Sequence, residues 1–492
     1  MNCQWNPQGS VERRRFLTTV ASASAIAAVP SSVIAKQSEQ LHLEVGKRAK
    51  ALVSQGQDFL RLLIPQGSGD NVKPVIREFE NLTGGHVRVS EAPVDDIDTK
   101  LILDTLSGKN EHDIALPPTF GLPNLVAANA IITLTDFAKK HEPPDFRNDI
   151  LYQIGDRFDD ELYGFQTDGD VYLLFYHADL LQDPKEQDRY ATQFNTKLRV
   201  PKTWEELDRQ MAFFNRPSEG LAGGLLFRTP GYLAWEWWVR FHAKGLWPLD
   251  ADLNPQLNAP GGVLALEQMI AATDHLAPEV TRLGLFENWK RYGEGGVYCN
   301  IGWGGSQKYL NGPESKMRGR MVYGPTPGGM LDGKLLETPY FNWGWNYVVT
   351  ANSPCPELSY LFALFASTPA MSTESVRQSG GFFDPFRPEH YQDAQIAKTY
   401  SSEFLAVHET SMRAAIPDLY LANRSEYFQT LSRWLDRALL GKISAKDALD
   451  NTAQHWALIS KRAGLTLQQE RWQQLRAKYP ADLQARLIDL PA

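Results

Sequence analysis

Apolar positions recur along the chain with two alternating periods, short continuous runs and then spacings of three and four. Phe59 to Pro65 is an apolar run of strand length. Val72, Val75, Ile76 and Phe79 follow at i, i+3, i+4 and i+7, with Pro74 in the first turn and Gly84-Gly85 as a stop, which predicts a helix. The same reading predicts a strand at 86–90, a helix at 97–106, a strand at 113–116 and a helix at 121–130. Repeated βα units imply a mostly parallel sheet covered on both faces.

Residues 171–177 form a continuous apolar and aromatic strand, and a second α/β lobe begins about here. Pro201 to Glu206 opens a helix, with Thr203 and Glu206 spaced for a capping box. Further helices are predicted at 263–273 and 356–366, and strands at 297–303 and 347–350. After Phe386 the pattern is largely helical, with Ser444 and Asp447 starting one late helix. No internal repeat is visible.

A chain of 492 residues is too long for one core and suits two lobes; 43% hydrophobic and 22% charged residues exclude disorder. Its 13 tryptophans gather in short groups, Trp235 with Trp237 and Trp238, and Trp343 with Trp345. At the start, Arg13-Arg14-Arg15-Phe16-Leu17 precedes a mildly apolar stretch running to Ala35, which reads as an export signal. It resembles the twin-arginine type, with a general secretory signal as the alternative. Removing residues 1–35 takes away three arginines and Glu12, so the remainder is more acidic than the whole chain's −8. Nucleic acid is therefore an unexpected partner. No later stretch reaches the roughly 18 uninterrupted apolar residues of a membrane span. No cysteine stands at the cleavage point near Ala35, so a soluble periplasmic protein is expected. Cys3 leaves with the signal, and Cys299 and Cys355 either form one disulfide or remain two buried thiols.

Four stretches resemble the bacterial extracellular solute-binding proteins of the maltose-binding type, family 1, which serve ABC importers. Residues 59–89, FLRLLIPQGSGDNVKPVIREFENLTGGHVRV, look like the family's opening strand, helix and F-x-x-x-T-G-x-x-V strand. Residues 163–181, followed by Pro201-Lys202-Thr203-Trp204-Glu205-Glu206-Leu207, look like its first crossing between lobes and its P-x-T-W-E-E-L helix. Residues 298–306 with 320–329, and then 341–366, resemble its W-G strand, second crossing and following strand and helix.

The resemblance implies a type II periplasmic-binding-protein fold: discontinuous α/β lobes joined by hinge strands, with a ligand held between them and presented to an inner-membrane permease. It implies residues 45–165 with 325–380 as one lobe and 166–324 with 381–465 as the other, with crossings near Asp168, Pro325 and Phe383. Residues 466–492 depart from the family as a C-terminal helical extension. Neither catalysis nor a cofactor is implied, and a monomer is expected.

Sugar capture needs an aromatic face for the ring's C–H groups and paired donors and acceptors for its hydroxyls. Asp168 and Asp170 are two apart, so in an extended strand both face one way, although Thr167-Asp168-Gly169 also reads as a turn. Trp303, flanked by glycines in Ile301-Gly302-Trp303-Gly304-Gly305, is the leading ligand residue. Strand alternation places Trp343 and Trp345 on one face and Asn342 on the other. Helical spacing puts Trp235 and Trp238 together, with Trp237 in the core. Gln66 and Ser68, and Thr119 and Phe120, follow the first and third strands, where such sheets bind ligands. Tyr420 and Arg424 fall where the family sometimes supplies late contacts.

Gly67-Ser68-Gly69 could cradle a phosphate, but no Lys-Ser/Thr follows it. Neither H-E-x-x-H nor G-x-S-x-G occurs. The acidic runs at 95–98 and 156–161 lack the pattern of a calcium loop and read as solvated surface. Three functions follow in order: carbohydrate or polyol capture for an ABC permease, binding of a quaternary ammonium compound in a tryptophan cage, and an exported glycosidase using Asp168 and Asp170.

Overall fold

The computed structural model describes residues 31–490. The export signal therefore lies almost wholly outside the described residues. Two five-stranded sheets organise the chain. In the first, strands lie in the order His86–Ala92, Phe59–Pro65, Ile114–Ala115, Asn346–Val349, Gly164–Gln166. Leu62, Leu63 and Ile64 are fully buried, as expected of a strand covered on both faces. The helix Gly69–Thr83 turns Val72, Val75 and Phe79 inward, and Phe79 meets Phe362 and Phe365 edge-on at 5.1 and 5.4 Å. Gly84, at φ 77°, ends that helix in the left-handed conformation that glycine adopts without strain.

The second sheet runs Met321–Pro325, Val171–His177, Val297–Gly302, Ala222–Leu225, with Tyr340–Phe341 also paired to Val171–His177. Thr203 caps the helix Trp204–Phe214 by accepting from Glu206 N–H at 3.2 Å. Glu206 reaches back to Lys202 N–H at 2.7 Å, one residue before the position a capping box would use.

The sheets are mixed rather than mostly parallel. In the first, Asn346–Val349 runs antiparallel to both of its neighbours, and in the second, Val171–His177 runs antiparallel to every partner. The reason is topological: these strands arrive from the opposite lobe, and the βα periodicity of the first hundred residues says nothing about returning segments.

The chain passes between the sheets at residues 166–171 and 341–346, and again after the helix Pro369–Arg377. The second passage comes later than the expected one near Pro325. Residues beyond Pro325 stay with the second sheet because Trp204 N–H bonds Gly328 O and Gly328 N–H bonds Lys202 O, holding the hairpin of Gly329–Leu331 with Lys334–Leu336 beside Ala243. Cys299 and Cys355 are both free and buried, Cys299 in the second sheet and Cys355 beside Phe59 of the first, so of the two alternatives the structure has the pair of buried thiols and no disulfide.

The C-terminal helices Leu465–Arg476 and Ala481–Arg486 wall the second lobe. Trp472 packs on Trp247 at 5.8 Å, and Ile488 pairs with Leu246. No described helix is long and apolar enough to cross a membrane.

Candidate functional site

Where the lobes meet, four indoles gather from separate elements. Trp303 follows the strand Val297–Gly302, Trp235 stands in the first turn of the helix Leu233–His242, and Trp343 and Trp345 flank Gly344 on the second passage. Trp303 and Trp343 are perpendicular at 5.5 Å, Trp235 and Trp303 nearly so at 5.9 Å, and Trp235 lies 5.1 Å from Trp343. Tyr172 stacks on Trp303 at 4.8 Å, and Phe120 closes on Trp343 at 5.8 Å.

Gly344, at φ 70°, breaks the strand before Asn346. Alternation therefore fails here: Asn342 shares a side with the indoles and accepts from Trp303 Nε1–H at 2.8 Å. A side chain at Gly305 would strike Phe382 and Trp289, so the bare backbone lets those two rings close over the site.

Two cavities open among these groups. A small one of about 20 Å³, enough for a water molecule, lies between Asp170, Trp289, Trp303, Trp343, Trp345 and Phe382. A larger one of about 760 Å³ separates Asp95, Asp98 and Phe120 of the first lobe from Trp235 and Arg424 of the second, and Val94 borders both. Several buried polar atoms here have no partner: the indole nitrogens of Trp235, Trp289 and Trp343, the amide nitrogen of Asn342 and Oδ1 of Asp98. Burial pushes the Asp98 carboxyl up to about 7, against the pull of Arg424. The acidic run at 95–98 is thus part of the cleft and not simply solvated surface. Arg424 lies over Phe120 at 4.2 Å and pairs with Asp418.

Beneath the indoles, Asp168, Asp170 and Asp384 bring carboxylate oxygens within 4.8 Å of one another, a grouping that could also hold a metal ion. Burial and the neighbouring carboxylate raise Asp168 and Asp170 well above the usual range; burial raises Asp384 to about 6 although Lys308 opposes it. Burial lowers Lys308 to about 8.

Of the residues singled out in the sequence, Phe120, Asp170, Trp235, Trp303, Trp343, Trp345 and Arg424 line the two cavities, and Asp168 lies just below. Five stand elsewhere. Gln66 is exposed, and Ser68 turns back to Pro65 O at 2.8 Å. Thr119 donates to Asn346 at 2.6 Å. Trp238 faces Phe428 and Trp456 in the second-lobe core, because the helix buries both of its faces. Tyr420 donates to Gly155 O at 3.0 Å and borders a different cavity, beside Arg471. Sequence reasoning missed Trp289, Phe382, Lys308 and Asp384; the run Gly380-Gly381-Phe382-Phe383-Asp384 was the available signal, glycines beside aromatics and an acid.

Residues 75–401 match the family model described as bacterial extracellular solute-binding protein. Among solved structures, the fold is similar to a solute-binding protein of an ABC transporter from Agrobacterium radiobacter K84 in complex with ribitol, at TM-score 0.71 and 19% identity over 82% of this chain and 99% of that one. It is also similar to maltose-bound MalE3 of T. maritima, at 0.69 and 16% over 82% and 99%, and to a Thermotoga lettingae TMO solute-binding protein bound with alpha-D-tagatose, at 0.69 and 18% over 83% and 100%. No curated protein matches the chain in sequence.

Proposed function

The chain belongs to the bacterial extracellular solute-binding proteins, and from that premise we propose that it captures a carbohydrate or polyol between its lobes and delivers it to an ABC permease in the inner membrane. The observation behind this reading is the set of unpartnered indole and amide N–H groups, those of Trp235, Trp289, Trp343 and Asn342, gathered at the lobe junction. Buried donors cost about 1–3 kcal/mol each when unpaired, so they favour an occupant that offers hydrogen-bond acceptors. Hydroxyl oxygens on a carbon frame supply acceptors, and the indole faces take the C–H side. A quaternary ammonium ligand would use the faces and leave every N–H unpaired, which ranks it second. The family is a solute-binding one rather than an enzyme family. A glycosidase reading is weaker still, because both bonds of Asp168 Oδ1 go to backbone N–H groups, those of Gly169 at 2.7 Å and Asp384 at 2.6 Å.

The larger cavity has room for a sugar ring and the small one does not, so a ring reaches the faces of Trp303 and Trp343 only when the lobes part, and capture is a shift of an open and closed equilibrium toward closed. We further read the protein as exported through a twin-arginine signal, cleaved near Ala35 and monomeric in the periplasm.

The test is a thermal-shift and tryptophan-fluorescence screen of residues 36–492 against monosaccharides, oligosaccharides, polyols, choline and betaine. A neutral sugar or polyol that raises the melting temperature and changes the emission supports the reading, because a ligand binding only the folded state stabilises it by mass action. A response to choline or betaine alone replaces the polyol with a cation, and turnover of a chromogenic glycoside replaces binding with catalysis.

A further inference from the structure

Carboxylates tie the three passages between the lobes to one another. Asp168 Oδ1 accepts from Asp384 N–H at 2.6 Å, joining the first passage to the third, and Asp170 accepts from Gly344 N–H at 3.2 Å, joining the first to the second. Asp384 accepts in turn from Gly305 N–H at 3.1 Å and Tyr400 O–H at 2.7 Å.

The titratable groups facing this trio from the packed helices are few. Lys308, on the helix Gly304–Leu310, donates to the carbonyls of Gln378 and Phe383 at 2.9 and 2.8 Å and to none of the carboxylates. Tyr400 closes the helix Ala394–Tyr400. His408, on the helix Ser402–Ala414, lies against Gly169 and bonds Tyr391 at 2.9 Å; burial pushes its imidazole down to about 3, so it is neutral.

Three ionised carboxylates against one ammonium would leave two negative charges uncompensated in a dry interior, a cost of several kcal/mol per ion. Asp168 Oδ2 is fully buried and has no partner to hold such a charge. Nearby carbonyls are already engaged: Phe383 O by Lys308, Asp168 O by Gln166, and Pro385 O by Tyr391. A calcium ion would find three carboxylates where it takes roughly six to eight oxygens. Protons fit the site better than a cation.

We propose that the closed hinge holds two protons shared among Asp168, Asp170 and Asp384, so that lobe closure takes up protons from solvent and is favoured at acidic pH. This rests on the two-lobe closure described above and on no particular ligand. With two protons, one carboxylate remains to balance Lys308 and the group is neutral. Asp384, which accepts from Gly305 and Tyr400, is best supported to keep the charge. The raised acids give the sign: a carboxyl whose proton is held more tightly in the closed form stabilises that form below its titration, and the benefit is lost as pH rises through the raised titrations of Asp168 and Asp170.

Small-angle scattering of the protein without added ligand, at about pH 5 and about pH 9, tests this. The radius of gyration is expected to rise by ~1 Å on going to the higher pH, and the Asp384→Asn variant, which leaves one proton to be shared instead of two, is expected to show a smaller rise. Should that variant fail to fold, the wild-type series decides together with carbon NMR of aspartate carboxyls. Two carboxyls of the trio, in addition to Asp98, are expected to keep a neutral-acid shift at about pH 6, where ordinary aspartates are ionised. A wild-type radius that does not change with pH overturns the proposal. So does recompaction at about pH 9 by calcium chloride, which would place a cation where the protons are placed.

Discussion

The indole N–H of Trp303 and the amide oxygen of Asn342 meet at 2.8 Å, so the tryptophan that ends a second-lobe strand is oriented by the chain as it leaves for the first lobe. Its N–H is spoken for, whereas those of Trp235 and Trp343 have no partner. The face of Trp303 is therefore held for stacking while its neighbours keep donors free. Asn342→Leu would leave a buried indole N–H unpaired and remove the free donors on the amide nitrogen. A loss of about 1–3 kcal/mol in stability is expected, with weaker binding of whichever sugar or polyol the screen identifies. Urea titration and calorimetry of the variant check both parts.

Trp343 and Trp238 are both buried tryptophans without an N–H partner, yet they face different surroundings. Trp343 borders the small cavity, whereas Trp238 packs on Phe428 at 5.3 Å inside the second lobe. Trp343→Phe keeps an aromatic face and deletes one donor, so ligand affinity is expected to fall about five- to tenfold with little change in melting temperature. Trp238→Phe is expected to do the reverse, lowering stability by about 1–3 kcal/mol through the void it leaves while sparing affinity. Equal effects of the two substitutions on affinity would remove the distinction drawn between them.

The fold was legible wherever local signals and packing agree. The helix Gly69–Thr83, the strand Val171–His177 and the caps at Thr203 and Ser444 all follow from periodicity and short-range bonding. What was hidden depends on partners far along the chain. Gly344 breaks a strand because Thr119 N–H bonds its carbonyl and Asp170 takes its N–H. Asp384 joins Asp168 across 216 residues, a meeting that no spacing encodes. Trp235 and Trp238 share helical spacing and still diverge, because a helix buried all round has two apolar faces and the sequence pattern does not say which one meets the cleft.

His242 sets a pH limit on stability. It is fully buried, with Nδ1 bonded to Trp238 O at 2.8 Å and Nε2 to Tyr479 Oη at 3.2 Å, and burial pushes the imidazole down to about 4. The unfolded chain binds that proton near pH 6.5, so folding stability is fully present above that value and is lost as pH falls toward 4. The loss amounts to about 3 kcal/mol over the interval. Glu236 behaves differently. Burial would raise it, but Arg228 at 2.6 Å and Arg240 at 2.8 Å hold it below the ordinary glutamate value, so its contribution persists until lower pH. Chemical denaturation between about pH 7 and 4 should show a slope that His242→Gln reduces and that wild type retains.

Arg471 and Trp472 are neighbours on the helix Leu465–Arg476 that serve different lobes. Trp472 is buried against Trp247 of the second lobe, while Arg471 reaches Asp159 with two bonds of 2.7 and 2.6 Å and lies over Phe158 at 4.7 Å. Phe158 and Asp159 lie in the hairpin of Arg157–Phe158 with Glu161–Leu162, which belongs with the first sheet, because Leu134 N–H bonds Leu162 O and Asn346 bonds Asp156 at 2.7 Å. The C-terminal extension therefore touches both sides of the junction when the lobes are together. Trp472→Ala is expected to cost about 3–5 kcal/mol of stability by emptying a core site. The ion pair is partly solvated, so Arg471→Ala is expected to change folding stability by less than about 1 kcal/mol. Its effect should fall on closure instead: ligand affinity lower by up to about fivefold and a larger radius of gyration in scattering. If Arg471→Ala binds as wild type does and stays as compact, the pair is an incidental contact and the extension serves only the second-lobe core.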